Sequence, residues 1–130
     1  MITANELMKK ARRALGSAKL LLAAEDADGT CNRAYYAMFD ASRAALITSG
    51  FAELAITTKT HSGLISIFSL HLIKTEKLPT ELGRSLNKVE DVRLMADYLG
   101  KGVDLDRANW SLQQAEIFVD TIESIMFSGE

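Results

Sequence analysis

The sequence contains one cysteine and one proline, and each scarcity excludes a class of protein. Cys31 has no second cysteine to pair with, so the chain has neither a disulfide framework nor a cysteine-based metal site, which fits a reducing compartment. Proline is rare and hydrophobic residues make up 48% of the chain, a composition that a disordered segment does not have. We therefore expect an ordinary globular protein.

An excess of positive charge and a long hydrophobic run are also lacking. The formal net charge is -2, which argues against non-specific binding to nucleic acid but leaves a local basic patch open. No apolar run approaches the ~18 residues of a membrane span. The first residues, MITANELMKKARR, do not resemble a signal peptide. A cytoplasmic protein without membrane association is expected.

Aromatic residues reach only 7%, whereas alanine, leucine, lysine and glutamate are plentiful, and this balance favours helix over strand. No segment shows the two-residue alternation of a half-buried strand. The length of 130 residues suits one core. The sequence therefore predicts an all-α fold, an up-and-down antiparallel bundle of about five helices, in a single domain over residues 1–130.

Capping and turn residues predict where the first two helices begin and end. The segment TANE at residues 3–6 is a capping box, and a helical pattern follows it to about Glu25. Asp28-Gly29-Thr30 has turn chemistry, so the second helix is expected to begin near Cys31 and to stop at Gly50, a plausible left-handed cap.

The rest of the chain is expected to form one loop and three further helices. Residues 51–59 show no clear period and are interpreted as the loop. The three helices are expected from Thr58 or Thr60 through GLISIFSLHLIK, from Leu78-Pro79 to about Leu99 before Gly100 and Gly102, and from Asp104 or Asp106 to about Met126.

The second helix has two distinct faces if each residue advances by about 100°. Its apolar face is the expected core stripe, formed by Tyr35, Met38, Phe39, Ser42 and Leu46. Its polar face is formed by Arg33, Tyr36, Asp40 and Arg43. The polar face is either solvated, with weak ion pairs three residues apart, or a groove or partner surface, since guanidinium and phenol groups suit phosphate or carboxylate.

Arg93 falls in the middle of the apolar stripe of the fourth helix, so its charge needs compensation. Glu90 and Asp97 lie three and four residues away, within reach on the same helix. An internal ion-pair network and a functional site are both compatible with this pattern.

The two histidines stand at opposite ends of the expected third helix. His61 could cap the helix, bind phosphate or pack, whereas His71 is interpreted as a surface or helix-end residue. Neither has ligands at metal-binding spacing, so no metal site and no cofactor are expected. No serine lies in a nucleophile elbow and no glycine loop could cradle a phosphate.

Three blocks of sequence resemble the HEPN-domain family, in particular its small stand-alone prokaryotic branch. The blocks are RAYYAMFDASRAAL from Arg33, KTHSGLISIF from Lys59 and ELGRSLNKVEDVRLMADY from Glu81. The resemblance implies a helical bundle that commonly dimerises and that often acts with a minimal nucleotidyltransferase as a toxin–antitoxin pair. It covers about residues 3–126.

Many HEPN proteins are metal-independent ribonucleases whose signature is Arg, then four to six residues, then His. This chain departs from that signature, because the positions after Arg93 offer Asp97 and Tyr98 and no histidine. Neither residue supplies an imidazole for proton transfer. The departure argues against carrying the nuclease activity over.

The resulting hypothesis is a HEPN-type regulatory or binding protein, a homodimeric toxin–antitoxin component that acts with a nucleotidyltransferase and binds nucleotide or RNA phosphate. The alternatives are a ribonuclease with a non-standard active site at the dimer interface and a purely structural helical adaptor. No catalytic residue is assigned. The candidate ligand-binding residues are Arg33, Tyr36, Asp40, Arg43, His61, Arg93, Asp97 and Tyr98.

Overall fold

The computed structural model describes residues 1–99 and 102–127, and every regular element in that part of the chain is helical. The helices are α1 (Ala4–Ala23), α2 (Ala27–Thr48), α3 (Ala52–Thr57), α4 (His61–Phe68), a π-helical turn (Ser69–Ile73) that continues α4, α5 (Thr80–Tyr98) and α6 (Leu105–Met126). The all-α bundle is confirmed, with six α-helices in these residues instead of about five.

The start of α1 is the predicted capping box. The Glu6 amide donates to the Thr3 hydroxyl at 3.1 Å, and the Thr3 amide donates to the Glu6 carboxylate at 2.8 Å. Two of the amides that a helix start leaves unpaired are thereby satisfied.

The expected turn at 28–30 is wrong, because these residues form the first turn of α2. The Asp26 carboxylate caps the helix by accepting from the Gly29 amide at 2.9 Å. The carboxylate of Asp28 accepts from the Val103 amide at 2.9 Å and ties the segment before α6 to this end of α2. The segment from Asp26 to Gly29 has the composition of a turn although it begins a helix. Composition alone therefore placed the start of α2 too late.

The loop expected at 51–59 contains α3. Gly50 has a φ of 96° and ends α2 as predicted, since the next amide, that of Phe51, donates back to the Leu46 carbonyl at 2.8 Å. The six residues of α3 are too few to show a period, and its packing on α2 supports it instead.

α4 begins at the second of the two predicted caps. The Thr60 hydroxyl accepts from the Gly63 amide at 3.0 Å, which makes His61 the first helical residue. The helix then widens into the π-helical turn, where the Lys74 amide donates to the Ser69 carbonyl at 2.9 Å.

α2 lies at the centre of the bundle and packs against α1, α5 and α6. Leu46 is fully buried as predicted, together with the large side chains of Tyr35, Phe68 and Phe118. Phe39 is only partly buried at the edge of this core, so its assignment to the interior is wrong. No helix in the described part of the chain combines the length and apolar character needed to cross a bilayer.

Candidate functional site

Four rings meet where α2 passes the start of α4. The His61 ring lies 5.4 Å from the Tyr35 ring, 5.7 Å from the Tyr36 ring and 4.9 Å from the Phe39 ring, centroid to centroid. Tyr35 is fully buried and the other three are partly exposed. We call these four residues the aromatic cluster. The two tyrosines are consecutive on α2 and have different positions in the cluster. Tyr35 points into the core and forms the buried floor of the aromatic cluster, whereas Tyr36 lies at the edge of the core and forms the exposed rim of the cluster.

Both nitrogens of His61 are engaged by tyrosine hydroxyls. Nδ1 lies 2.9 Å from the Tyr35 oxygen and Nε2 lies 3.4 Å from the Tyr36 oxygen. A neutral imidazole has one donor and one acceptor, so one hydroxyl donates to it while the other accepts. The ring is therefore held in a fixed orientation at the surface.

Arg93 lies beneath the aromatic cluster and is paired with both carboxylates predicted for it. Its Nε donates to Glu90 Oε1 at 2.8 Å, its Nη2 forms an ion pair with the same oxygen at 2.8 Å, and its Nη1 donates to Asp97 Oδ2 at 3.0 Å. The side chain is buried, with 5% exposed. Burial opposes its charge, but the hydrogen bonds to Glu90 and Asp97 outweigh it and raise the pKa of Arg93 above its usual value.

The Arg93 guanidinium also joins the ion-pair network to the rings. Its central carbon lies 4.8 Å from the Tyr35 centroid and 5.9 Å from the Tyr36 centroid, within cation–π range. Burial, together with the nearby charge of Glu90, raises the pKa of Tyr35 above its usual value. The Tyr35 hydroxyl therefore stays protonated and keeps its hydrogen bond to His61.

Arg33 approaches the same rings from the solvent side. Its guanidinium lies 5.2 Å from the Tyr36 centroid and donates to the Asn32 side-chain oxygen at 3.1 and 3.2 Å. Within residues 1–99 and 102–127 no carboxylate lies within ion-pair distance of it. In contrast to Arg93, this arginine has no ion-pair partner among the described residues, although the Asp40 carboxyl is near enough to interact with its charge.

Asp40, on the polar face of α2, is buried, with 6% exposed, yet it accepts no hydrogen bond from the described residues. Burial raises the pKa of its carboxyl, against the opposing effect of Lys10, Arg43 and Arg33 nearby. Asp40 and Arg43 do not form the ion pair three residues apart that a solvated face would allow, which was one of the two alternatives left open for this face. Neither oxygen of Asp40 is both fully enclosed and unpaired, so the carboxylate keeps some contact with solvent.

The structure thus brings some of the predicted residues together and leaves others apart. Arg33, Tyr36, His61, Arg93 and Asp97 belong to one continuous cluster, whereas Asp40 and Arg43 lie farther along α2. Tyr98 is 74% exposed and makes no ring contact or hydrogen bond with the described chain.

Sequence reasoning missed three residues of this site. It placed Tyr35 and Phe39 in the core and treated Glu90 only as a partner for Arg93. The available signal was their position on the border between the apolar and polar faces of the helices, where a side chain can contact both the core and the surface.

The arrangement places the Arg33 guanidinium, the Tyr36 hydroxyl and His61 Nε2 at one edge, where a phosphate oxygen could replace the long 3.4 Å contact between the last two groups. Metal chemistry finds no support in the part of the chain that the structure describes, where no three His, Cys, Asp or Glu side chains lie close enough to hold an ion.

Comparison with known proteins places these observations in a family context. A family model described as HEPN domain matches residues 4–125. A UPF0332 protein of Thermotoga maritima is 35% identical over 91% of this chain and 86% of its own length, and a UPF0332 protein of Gloeobacter violaceus is 34% identical over 88% and 82%. A protein of Methanocaldococcus jannaschii named "Putative toxin MJ0142" is 30% identical over 95% of this chain and 81% of its own length.

Proposed function

We propose, from the premise that this chain belongs to the HEPN-domain family, that it is a regulatory binding protein of a toxin–antitoxin pair. Its partner in this proposal is a nucleotidyltransferase, and its ligand is the phosphate of a nucleotide or RNA. The toxin names given to relatives from Methanocaldococcus jannaschii support the toxin side of this assignment.

The observation that carries the proposal is the orientation of His61 near an arginine that has no ion-pair partner in the described residues. Two tyrosine hydroxyls hold the imidazole, and the Arg33 guanidinium lies against the outer of these tyrosines. A guanidinium and an imidazole at a shared edge suit the oxygens of a phosphate group. The buried Arg93 network fixes the floor of this surface from below and does not itself need to touch the ligand.

Binding is tested by titrating isotope-labelled protein with inorganic phosphate, adenosine monophosphate and a short single-stranded RNA while the amide resonances are recorded. We expect shifts centred on α2 and the start of α4, and we expect Arg33→Ala and His61→Ala to weaken binding about tenfold or more. Arg13→Ala is the matched control, because Arg13 is an exposed arginine on α1, away from the cluster. Equal affinities for all three variants would reject the site.

The partner is tested separately by co-expressing the chain with a minimal nucleotidyltransferase from the same host. We expect the two proteins to purify together, and we expect the partner to relieve any growth arrest that the chain causes when it is expressed alone. Growth that is unaffected by either protein would contradict the toxin–antitoxin assignment.

A second candidate function is a metal-independent ribonuclease with a non-standard active site at a homodimer interface. One observation favours it: His61 and Arg93 both contact the rings of Tyr35 and Tyr36, so an arginine and a histidine meet in space although no linear motif joins them. General acid–base catalysis contributes about 10² to 10⁴ in rate. Cleavage of cellular RNA in the presence of a chelator, abolished by His61→Ala in a folded variant, would favour this function over simple binding.

A further inference from the structure

A second polar groove lies on the opposite side of α5, between α5 and α6. Its volume is about 280 Å³. The groove is lined by Glu81, Arg84, Ser85, Lys88, Trp110 and Gln114. Nothing in the proposed function uses these residues.

The cations of this groove are unmatched. Arg84 and Lys88 are exposed, lie one turn apart on α5 and have no ion pair with a carboxylate in the described ranges. Glu81 is the one carboxylate that lines the groove, so these side chains leave it a net positive charge.

The seam between α1 and α6 shows that this chain does pair its cations elsewhere. Arg12 there binds Asp120 and Glu123, and Lys19 lies 3.1 Å from Glu116. Arg84 and Lys88 are, like Arg33, cations without an ion-pair partner in the described residues, and the two of them line one groove.

Trp110 gives the groove a flat aromatic surface. One side of the indole packs on the core, and the residue is partly exposed where it lines the groove. Its ring N–H donates to no acceptor within the described chain and is not enclosed by it, so this donor is open to an incoming group. The Gln114 side chain, also without a hydrogen bond to this part of the protein, lies beside it.

We infer that the α5–α6 groove docks a segment of single-stranded RNA. An unpaired base stacks on the Trp110 indole, the adjoining phosphates approach Arg84 and Lys88, and base or sugar oxygens accept from the indole N–H. Stacking on an aromatic ring combined with nearby cations is the general physical basis of single-strand binding. The choice of RNA as the nucleic acid rests on the proposed function, but the groove lies apart from the aromatic cluster.

The chain carries its own probe for this site, because Trp110 is its only tryptophan. We expect a mixed-sequence RNA hexamer to quench Trp110 fluorescence, and we expect the same hexamer in a duplex to quench it far less, since paired bases cannot stack on the indole. Arg84→Ala/Lys88→Ala should weaken binding about tenfold or more and reduce the slope of log K against log salt by about 1.4, at about 0.7 per phosphate.

The control is Lys9→Ala/Arg13→Ala, which removes the same two residue types at the same spacing from the exposed side of α1. It should leave both affinity and slope unchanged. Trp110→Leu, followed by anisotropy of a labelled hexamer, should weaken binding about tenfold, and Trp110→Phe should restore part of the loss.

The outcomes separate this inference from the proposed function. If Arg84→Ala/Lys88→Ala weakens RNA binding while Arg33→Ala and His61→Ala bind normally, the groove is supported and the proposed site at the aromatic cluster fails. Absence of quenching by the single strand, or equal affinity of the groove and control variants, would overturn the groove whatever the aromatic cluster does.

Discussion

Arg93 shows how a charge can be buried when its neighbours are suited to it. Each of its three nitrogens lies within 3.0 Å of a carboxylate oxygen of Glu90 or Asp97, and its flat face lies against the Tyr35 ring. The residue therefore links a polar network to the aromatic floor of the site. Removing it affects folding as well as any ligand, and the two effects have to be measured on the same protein.

Arg93→Ala should lower the free energy of unfolding by about 3–5 kcal/mol, because it leaves Glu90 without its partner in a buried setting. Chemical denaturation measures the loss. Arg84→Ala, on the exposed side of the same helix, should change stability by less than about 0.5 kcal/mol. If Arg93→Ala melted like the wild type and lost only binding, the arginine would face the ligand and the network would not be structural.

Asp40→Asn should raise the melting temperature at neutral pH. The folded-state pKa of Asp40 is raised, so the folded protein binds the proton more readily than the unfolded chain, and stability falls as pH rises through this window. The amide removes that penalty. The advantage of the variant should therefore shrink as the pH falls towards the ordinary carboxyl pKa and vanish below it, as melting curves across acidic pH would show. A variant less stable than wild type at neutral pH would mean that Asp40 has a stabilising partner.

Leu46→Ala and Phe39→Ala should separate core packing from site packing. Leu46 is fully buried, so its truncation should cost about 2–5 kcal/mol in unfolding free energy. Phe39 is only partly buried, so Phe39→Ala should lower the free energy of unfolding by less. Its ring centroid lies 4.9 Å from that of His61, so Phe39→Ala should also weaken phosphate binding. Normal binding by Phe39→Ala would remove that residue from the site.

At the scale of single elements, the first turn of α4 connects secondary structure to the site. Thr60 caps the helix through the Gly63 amide, and His61 follows it immediately. The cap therefore sets where the imidazole stands relative to the tyrosines of α2.

Thr60→Ala should destabilise the protein by about 1 kcal/mol and should also weaken phosphate binding, although Thr60 is not among the proposed ligands. The reason is that a frayed first turn no longer holds His61 against Tyr35 and Tyr36. Thr60→Ser keeps the capping oxygen and should behave like the wild type in thermal melting and in phosphate titration. Unchanged binding by Thr60→Ala would show that the tyrosines alone orient the imidazole.

At the scale of the whole molecule, the end of α5 presents an apolar surface that nothing in the described chain covers. Leu94 and Tyr98 lie one turn apart and are 39% and 74% exposed, and the following Leu99 is 56% exposed. A contiguous surface of this kind favours association. It agrees with the homodimer that the family resemblance implies.

Light scattering at micromolar concentration should give a mass of about twice the 14.3 kDa of one chain. Leu94→Glu/Tyr98→Glu should shift the protein towards the monomer, because two charges would be buried in the interface. Arg84→Glu/Lys88→Glu, on the exposed groove side of α5, is the control and should remain dimeric. A monomeric mass at every concentration of the wild type would reject the dimer.

Local chemistry determined much of this protein. The capping box at Thr3 and the glycine stop at Gly50 depend on a few neighbouring residues and were readable from the sequence, which also narrowed the cap of α4 to Thr58 or Thr60. The pairing of Arg93 with Glu90 and Asp97 was readable too, because helical spacing alone brings these side chains together.

Tertiary packing decided the rest. Helix α3 is too short to be stable or periodic by itself, and it exists where α2 supports it. The meeting of His61 with Tyr35 and Tyr36 joins residues 25 and 26 positions apart, and no period within one helix can predict which residue of another helix lies opposite. The candidate site was therefore visible in the sequence as separate residues, and only the packing of α4 and α5 on α2 assembled them, because contacts between helices depend on three-dimensional geometry that local spacing does not encode.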